Sequence, residues 1–272
     1  MPELPEVETI RRDLTRAIVG RRFAAVDLKW PRMVLYPSPE AFSRRLKGQG
    51  IRDVGRRGKY LLVHLDGGDT LVLHFRMSGS LLLADAGPDD PYCRAVFTLD
   101  DGSRLCFRDP RKLGKMWLVE DEATVVGSLG PEVLDSGFTV DGLTRALAGH
   151  AVPIKALLCD QTVLAGVGNM YADEALFAAG IHPLRRADSL GPGEAARLHR
   201  ALVKVLSEAI ESHGASMTDY WRPSGEPGTA QSVFKVAHRL GAACPGCGAP
   251  IERLRVRGRG SYFCPNCQCE SG

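Results

Sequence analysis

No stretch of the 272-residue chain approaches the ~20 apolar residues needed to cross a bilayer, and the first thirty residues hold no apolar core of signal-peptide length. Internal repeats, coiled-coil heptads and low-complexity tracts are absent too. These absences lead to the expectation of a cytoplasmic protein, away from any membrane, in which disulfides do not form. Net charge is also nearly absent, at +3. What remains is ordinary globular composition, 44% hydrophobic and 25% charged, with length for one large domain or two smaller ones.

Where the charge sits says more than its sum. Residues 235–272 carry Lys235, Arg239, Arg253, Arg255, Arg257 and Arg259 against Glu252 and Glu270, a local excess of +4. A second basic knot is Arg56-Arg57-Gly58-Lys59. Each alone reads equally well as solvated surface. Together, on a near-neutral body, they suit a polyanion gripped at defined places.

The hydrophobic spacing of Val7, Ile10, Leu14 and Ile18 predicts an amphipathic helix over residues 3–19. From about 23 to 120 the pattern changes to short β runs: FAAVDL, KYLLVHL, TLVLHF, RAVFTL, RLCF and KMWLV, separated by turns such as Asp66-Gly67-Gly68. Residues 127–140 break both periods. Helical patterns follow at roughly 141–149, 153–165, 170–179 and 192–213. The expected fold is α+β: an antiparallel β-sandwich with a packed N-terminal helix, then a helical domain ending in a β-hairpin finger. Expected boundaries are 1–130 for the sandwich, 131–140 for a linker, 141–232 for the helical domain and 233–272 for the finger.

Cys244-Pro-Gly-Cys247 and Cys264-Pro-Asn-Cys267 form two C-x-x-C knuckles sixteen residues apart. Such a pair of knuckles completes a closed, tetrahedral structural zinc site. Isolated redox thiols would leave the duplication unexplained. The sequence between them predicts a hairpin with its turn at Gly258-Arg259-Gly260. Cys93, Cys106, Cys159 and Cys269 lack ligand spacing and read as packing or surface residues.

The N-terminus, Met1-Pro2-Glu3-Leu4-Pro5-Glu6, puts a small residue where removal of Met1 would leave a secondary amine. Such an α-amine (pKa ~8) is partly neutral where a lysine (~10.4) is protonated, and it can attack carbonyl-like carbons. Glu3 and Glu6 lie close enough to move protons. Taken alone, the segment reads more simply as a helix start whose acids complement the dipole.

The whole chain decides between those readings. PELPEVET at 2–9, RRGKYLL at 56–62, HFRMSGSL at 74–81, DPRKLG at 109–114, GVGNMYADEALF at 166–177, CPGC at 244–247 and GRGSYFCPNCQ at 258–268 occur in this order. Together they resemble the formamidopyrimidine-DNA glycosylases, a family with a helix–two-turn–helix domain and a terminal zinc finger. The resemblance implies a base excision repair enzyme that excises oxidised purines from double-stranded DNA and cleaves the backbone; one duplex per chain makes a monomer the default expectation. It implies a catalytic set of Pro2 as nucleophile, Glu3 as the acid that handles the sugar-ring proton, and Lys59 and Arg259, both gripping phosphates, with Glu6 in support. Asn169, with His74, Lys155 and Tyr171, is placed among the DNA contacts. Met77, Arg111 and position 113 would fill the gap left by the extruded base.

The chain departs from the family pattern at three places. Leu113 stands where phenylalanine is usual, Arg76 where glycine commonly precedes the methionine, and Ala237-His238 where a Tyr-Gly pair is frequent. These departures leave the lyase chemistry intact but bear on the lesion range, and they keep in view an endonuclease VIII-like enzyme for oxidised pyrimidines. A separate alternative is a non-catalytic binder of damaged DNA, against which the intact Pro2-Glu3 argues.

Overall fold

In the computed structural model of the protein, which describes residues 2–84 and 90–270, the chain divides into two units. The first holds residues up to 128 together with 212–231; the second holds 129–211 and 232 onward.

The first unit contains α1 (Leu4–Ile18), β1 (Phe23–Asp27), β2 (Val34–Tyr36), α2 (Pro39–Leu46), β3 (Ile51–Arg57), β4 (Tyr60–Leu65), β5 (Thr70–His74), β6 (Ser80–Ala84), β7 (Cys93–Leu99), β8 (Arg104–Arg108), β9 (Lys115–Val119) and α3 (Ala123–Val126). The strands form two sheets, ordered β1-β7-β8-β6 and β2-β9-β5-β4-β3. All pairings are antiparallel except β2 with β9. Alternation places Ala95, Phe97 and Leu99 of β7 inward, in one core with Leu61, Val63, Leu71, Leu73, Met116 and Leu118 of the other sheet.

Helix α1 buries Val7, Ile10, Leu14 and Ile18 in the same core, as its 3.6-residue spacing requires. Its start is a capping box between Glu3 and Glu6: the Glu3 N–H donates to Glu6 Oε2 at 2.7 Å. The expected sandwich and first helix are present. Three strands, β2, β3 and β6, and the short α2 and α3 were not anticipated. The Arg-rich β3 and the SLLLA run of β6 lack a clean two-residue alternation. Cys93 and Cys106, read as packing or surface residues, are joined as a disulfide across β7 and β8, which corrects the expectation that none forms. Their Cα atoms lie 5.9 Å apart, within a disulfide's reach.

The second unit contains α4 (Val140–Leu147), α5 (Ile154–Leu158), α6 (Asn169–Ala179), α7 (Pro192–Glu211), β10 (Glu252–Val256) and β11 (Arg259–Phe263). The helix expected over 153–165 ends at Leu158. There the Asp160 carboxylate takes the Thr162 N–H at 3.0 Å and turns the chain. The finger's turn is also corrected: it falls at Arg257-Gly258, whose φ values of 45° and 82° suit a two-residue hairpin turn. Arg259 therefore opens β11, opposite Val256. Among the described residues no helix is long and apolar enough to cross a membrane.

Glu8 on α1 lies among Arg11, Arg12 and Arg56, with contacts of 2.8 to 3.2 Å. Burial alone would raise its pKa, yet the guanidiniums win and hold it at about 2, against an ordinary 4.5. A carboxylate with a depressed folded-state pKa stabilises the protein above its unfolded value, and that contribution is lost as pH falls from about 4.5 to about 2. The thermal midpoint of the wild type should fall through that window. Glu8→Gln should start less stable at neutral pH and decline less steeply in acid, as followed by circular dichroism; parallel curves would remove Glu8 from the account.

Candidate functional site

The residues singled out by sequence fall into two groups, one on each unit. In the first unit Pro2, Glu3 and Glu6 are buried at the head of α1, with both acids 1% exposed. Glu6 does more than cap the helix. Its Oε1 accepts the N–H of Ala215 at 2.7 Å, so one carboxylate joins the N-terminus to a segment 209 residues away. Gly214, at φ +75°, lies so close that a Cβ there would meet Glu6 at 2.9 Å. Tyr220, in the core, donates its hydroxyl to the His213 carbonyl at 3.1 Å, while burial and then the Glu6 charge push its phenol pKa up. Arg222 pairs with Asp13 at 3.0 Å, and Ser80 Oγ donates to the Asp219 carbonyl at 2.9 Å. Sequence reading missed Gly214, Ala215 and Tyr220, because no local pattern marks a residue whose partner is two hundred positions away.

Lys59 sits on the turn between β3 and β4, where Gly58 at φ +56° reverses the chain. It lies near His74, whose ring meets Tyr60 edge-on at 4.5 Å and whose Nδ1 accepts the Arg76 N–H at 3.0 Å. Burial first, then the positive charges of Arg76 and Lys59, lower the His74 pKa to about 3. The ring is neutral at physiological pH and is an acceptor here, with no charge of its own to offer an anion.

Met77, Arg111 and Leu113 sit on two adjoining turns. Met77 is 46% exposed, its sulfur 3.5 Å from an Arg111 guanidinium nitrogen, and Leu113 is half-buried. Asp109, 1% exposed, ties the turns together. It accepts from Ser78 Oγ at 2.5 Å, the Arg111 N–H at 3.2 Å and the Gly114 N–H at 2.6 Å. Asp109 was not singled out from sequence, although its place in DPRKLG could have signalled an Asx turn.

In the second unit Gly166, at φ +92°, and Gly168 lead into α6 at Asn169. Gln161 holds this turn, accepting the Gly166 N–H at 3.0 Å and donating to the Val167 carbonyl at 2.8 Å. Asn169 Nδ2 donates to the Gly260 carbonyl at 3.0 Å, and Lys155 Nζ donates to the same oxygen at 3.1 Å. Lys155 is 1% exposed and ion-paired with Asp173 at 2.7 Å, while Asp173 Oδ2 accepts the Tyr262 N–H at 3.1 Å. Burial pushes the Asp173 pKa up, against the pull of Lys155. Lys155 was expected to touch DNA; it lies instead inside the unit, where a lone buried ammonium would be too costly and finds a carboxylate. Tyr171 is likewise wholly buried, edge-on to Phe234 at 5.9 Å. Lys155 thus helps to place the hairpin that carries the exposed Arg259. Glu174, missed by sequence, accepts the N–H groups of Lys235, Val236 and Ala237 at 2.8 to 2.9 Å and anchors the segment ahead of the finger.

The four Sγ atoms of Cys244, Cys247, Cys264 and Cys267 lie within 4.8 Å of one another, with cross-knuckle pairs at 3.8 and 3.4 Å. Zn–S bonds of about 2.3 Å in a tetrahedron require sulfurs about 3.8 Å apart, so the donor set fits one structural zinc ion. Four thiolates close its coordination and leave no position for substrate.

The comparisons with known proteins cover both units. Residues 1–116 match the formamidopyrimidine-DNA glycosylase N-terminal domain, 129–220 its H2TH domain, and 241–268 the zinc finger found in FPG and IleRS. A formamidopyrimidine-DNA glycosylase of Herpetosiphon aurantiacus is 45% identical, over 98% of this chain and 100% of the relative. The MutM (Fpg) crystal structure from Thermus thermophilus superposes with a TM-score of 0.90 at 43% identity, covering 100% of both chains. Lactococcus lactis Fpg, in complex with an abasic site containing DNA, gives a TM-score of 0.92 at 33% identity, over 98% of this chain and 99% of that one. The fold and donor set are thus those of a two-unit, zinc-finger DNA repair protein. The chain belongs to the formamidopyrimidine-DNA glycosylase family.

The finger has too small an apolar cluster to fold by burial alone; Val236, Cys244, Ile251 and Cys264 make up its buried members. Chelation or Cys264→Ser should therefore raise amide exchange over residues 240–268 and weaken binding to duplex DNA, while the first unit keeps its protection. Equal binding by chelated and metal-loaded protein would contradict a structural zinc.

Proposed function

We propose that this protein is a DNA glycosylase of base excision repair that removes oxidised purines, and that it is also a lyase working through the amine of Pro2. The observation that carries the reading is the pairing of Pro2 and Glu3 at the buried head of α1, in a chain that matches the family over its length. With Met1 removed, the Pro2 nitrogen attacks C1′ of the damaged nucleotide. The glycosidic bond breaks, the base leaves with the bonding pair, and Glu3 supplies a proton to the opening sugar ring. The resulting iminium acidifies C2′, whose proton is lost as the 3′ phosphate is expelled by β-elimination. The conjugated iminium so formed acidifies C4′, whose proton is lost as the 5′ phosphate is expelled by δ-elimination. Regenerating the free amine requires only water.

The other residues bind and position. Met77, Arg111 and Leu113 enter the space of the extruded base, and the apolar Leu113 fills it without stacking as an aromatic ring would. Arg259 and Lys59 meet phosphates, and the turn before Asn169 offers helix N–H donors to another. Lys155 and Tyr171 act behind the finger rather than on DNA. Glu6 holds residues 214–220 against the nucleophile's helix.

Borohydride trapping on duplexes containing 8-oxoguanine or an oxidised pyrimidine tests the chemistry and the lesion class together. The covalent adduct should map to the N-terminal peptide and favour the purine duplex. Retaining Met1, or adding a residue before Pro2, makes the amine an amide; trapping and strand cleavage should vanish while binding survives. Glu3→Gln should slow base excision about a hundredfold or more, as loss of a general acid does, yet still trap a pre-formed abasic site. An adduct on any lysine of the blocked protein would defeat the mechanism. Arg259→Ala should weaken binding and reduce the dependence of log affinity on log salt by about one, as for a single lost phosphate contact.

A further inference from the structure

Five non-glycine residues in the described chain have positive φ: Arg76 (54°), Lys112 (57°), His213 (58°), His238 (59°) and Arg257 (45°). A side chain disfavours this conformation, so it persists only where the surroundings impose it. Three of the five are Arg or Lys, and each lies within two positions of a residue proposed to meet DNA: Arg76 before Met77, Lys112 after Arg111, Arg257 before Arg259.

The surroundings of Lys112 explain its conformation. Its N–H donates to the Asp109 carbonyl at 3.3 Å, closing the turn that the Asp109 carboxylate already organises through the Arg111 and Gly114 N–H groups. Arg94 secures the same turn from outside, donating to the carbonyls of Asp109 at 2.7 Å, Pro91 at 2.9 Å and Pro110 at 3.4 Å. Its charge is absorbed by backbone. The turn so fixed carries the Lys112 ammonium to 4.1 Å from the ring centroid of Trp30, and the Arg32 guanidinium lies 5.5 Å from the same ring. Trp30 is itself seated, its backbone N–H donating to the Arg94 carbonyl at 2.9 Å and its ring packing against the sandwich core. Arg32 and Lys112 are exposed.

Two exposed cations over one seated aromatic ring, on a turn clamped by Asp109 and Arg94, form a preorganised anion contact. A lysine already held in place loses less freedom on binding than a free one. We propose that Lys112, with Arg32, grips a backbone phosphate of duplex DNA outside the lesion, and that the left-handed conformation at 112 serves this contact rather than folding. The proposal rests on the DNA-glycosylase reading above. It distinguishes Arg111, directed at the gap in the base stack, from its neighbour, directed at the backbone.

Lys112→Gly separates function from fold, because glycine adopts φ +57° without penalty while losing the cation. The variant's melting temperature should equal or exceed the wild type's. Its affinity for lesion-bearing and undamaged duplexes should fall by the same factor, about fivefold near 0.1 M salt, with the salt slope reduced by about one. Lys112→Arg should keep the wild-type slope. An unchanged slope in Lys112→Gly overturns the proposal, as does a melting temperature lowered by several degrees, or a loss confined to lesion-bearing duplex. If the wild-type protein shows no salt-dependent affinity for duplex, the glycosylase reading has failed instead, before Lys112 is reached.

Discussion

The buried carboxylate of Glu6 is the point on which the first unit's site depends. A charge this deep is costly unless its oxygens are occupied by donors. Glu6 satisfies that demand with the Glu3 N–H on one oxygen and the Ala215 N–H on the other, both at 2.7 Å. The first bond sets the helix start beside Pro2. The second brings in residues 212–231, which follow α7 in sequence but belong to the first unit. Shortening Glu6 would release both at once, so its role is positional: it fixes where the head of α1 and the returning segment meet.

The second unit uses the same device with a carbonyl. Gly260 O receives both Lys155 Nζ and Asn169 Nδ2, Asp173 completes the ion pair and holds Tyr262, and Glu174 collects three backbone N–H groups ahead of the knuckles. The zinc ion orders the finger internally, and this polar cluster ties the hairpin to α6. Asp109 does likewise for the turns bearing Met77 and Arg111. In each case a buried polar group with partners supplied holds an exposed side chain in one place, which is what a contact on DNA requires.

Legibility in the sequence followed the range of the interactions. The amphipathic α1 appeared because its apolar spacing is local, and β4, β5, β7 and β9 because alternating or continuous apolar runs are local too. The zinc ligands were readable because each C-x-x-C knuckle is a self-contained turn. The helix expected over 153–165 stopped at Leu158 because the Asp160 side chain competes for backbone N–H groups, an effect that apolar periodicity does not register. The finger's turn was displaced to Arg257-Gly258 because cross-strand register, not the clustering of glycines, sets where a hairpin closes.

The sequence by itself determined the α+β class, the metal donors and, through ordered motifs, the family and the identities of Pro2, Glu3, Met77, Arg111 and Arg259 as candidates. It could do so because motif residues are recognised by type and spacing. Tertiary structure alone decided what those residues lean on. Whether Lys155 faces solvent or Asp173, whether Cys93 meets Cys106, and whether residues 212–231 join the first unit or the second depend on partners brought close by folding. The cost of burying a charge or an unpaired N–H is settled only when those partners arrive, and no local stretch of chain records it.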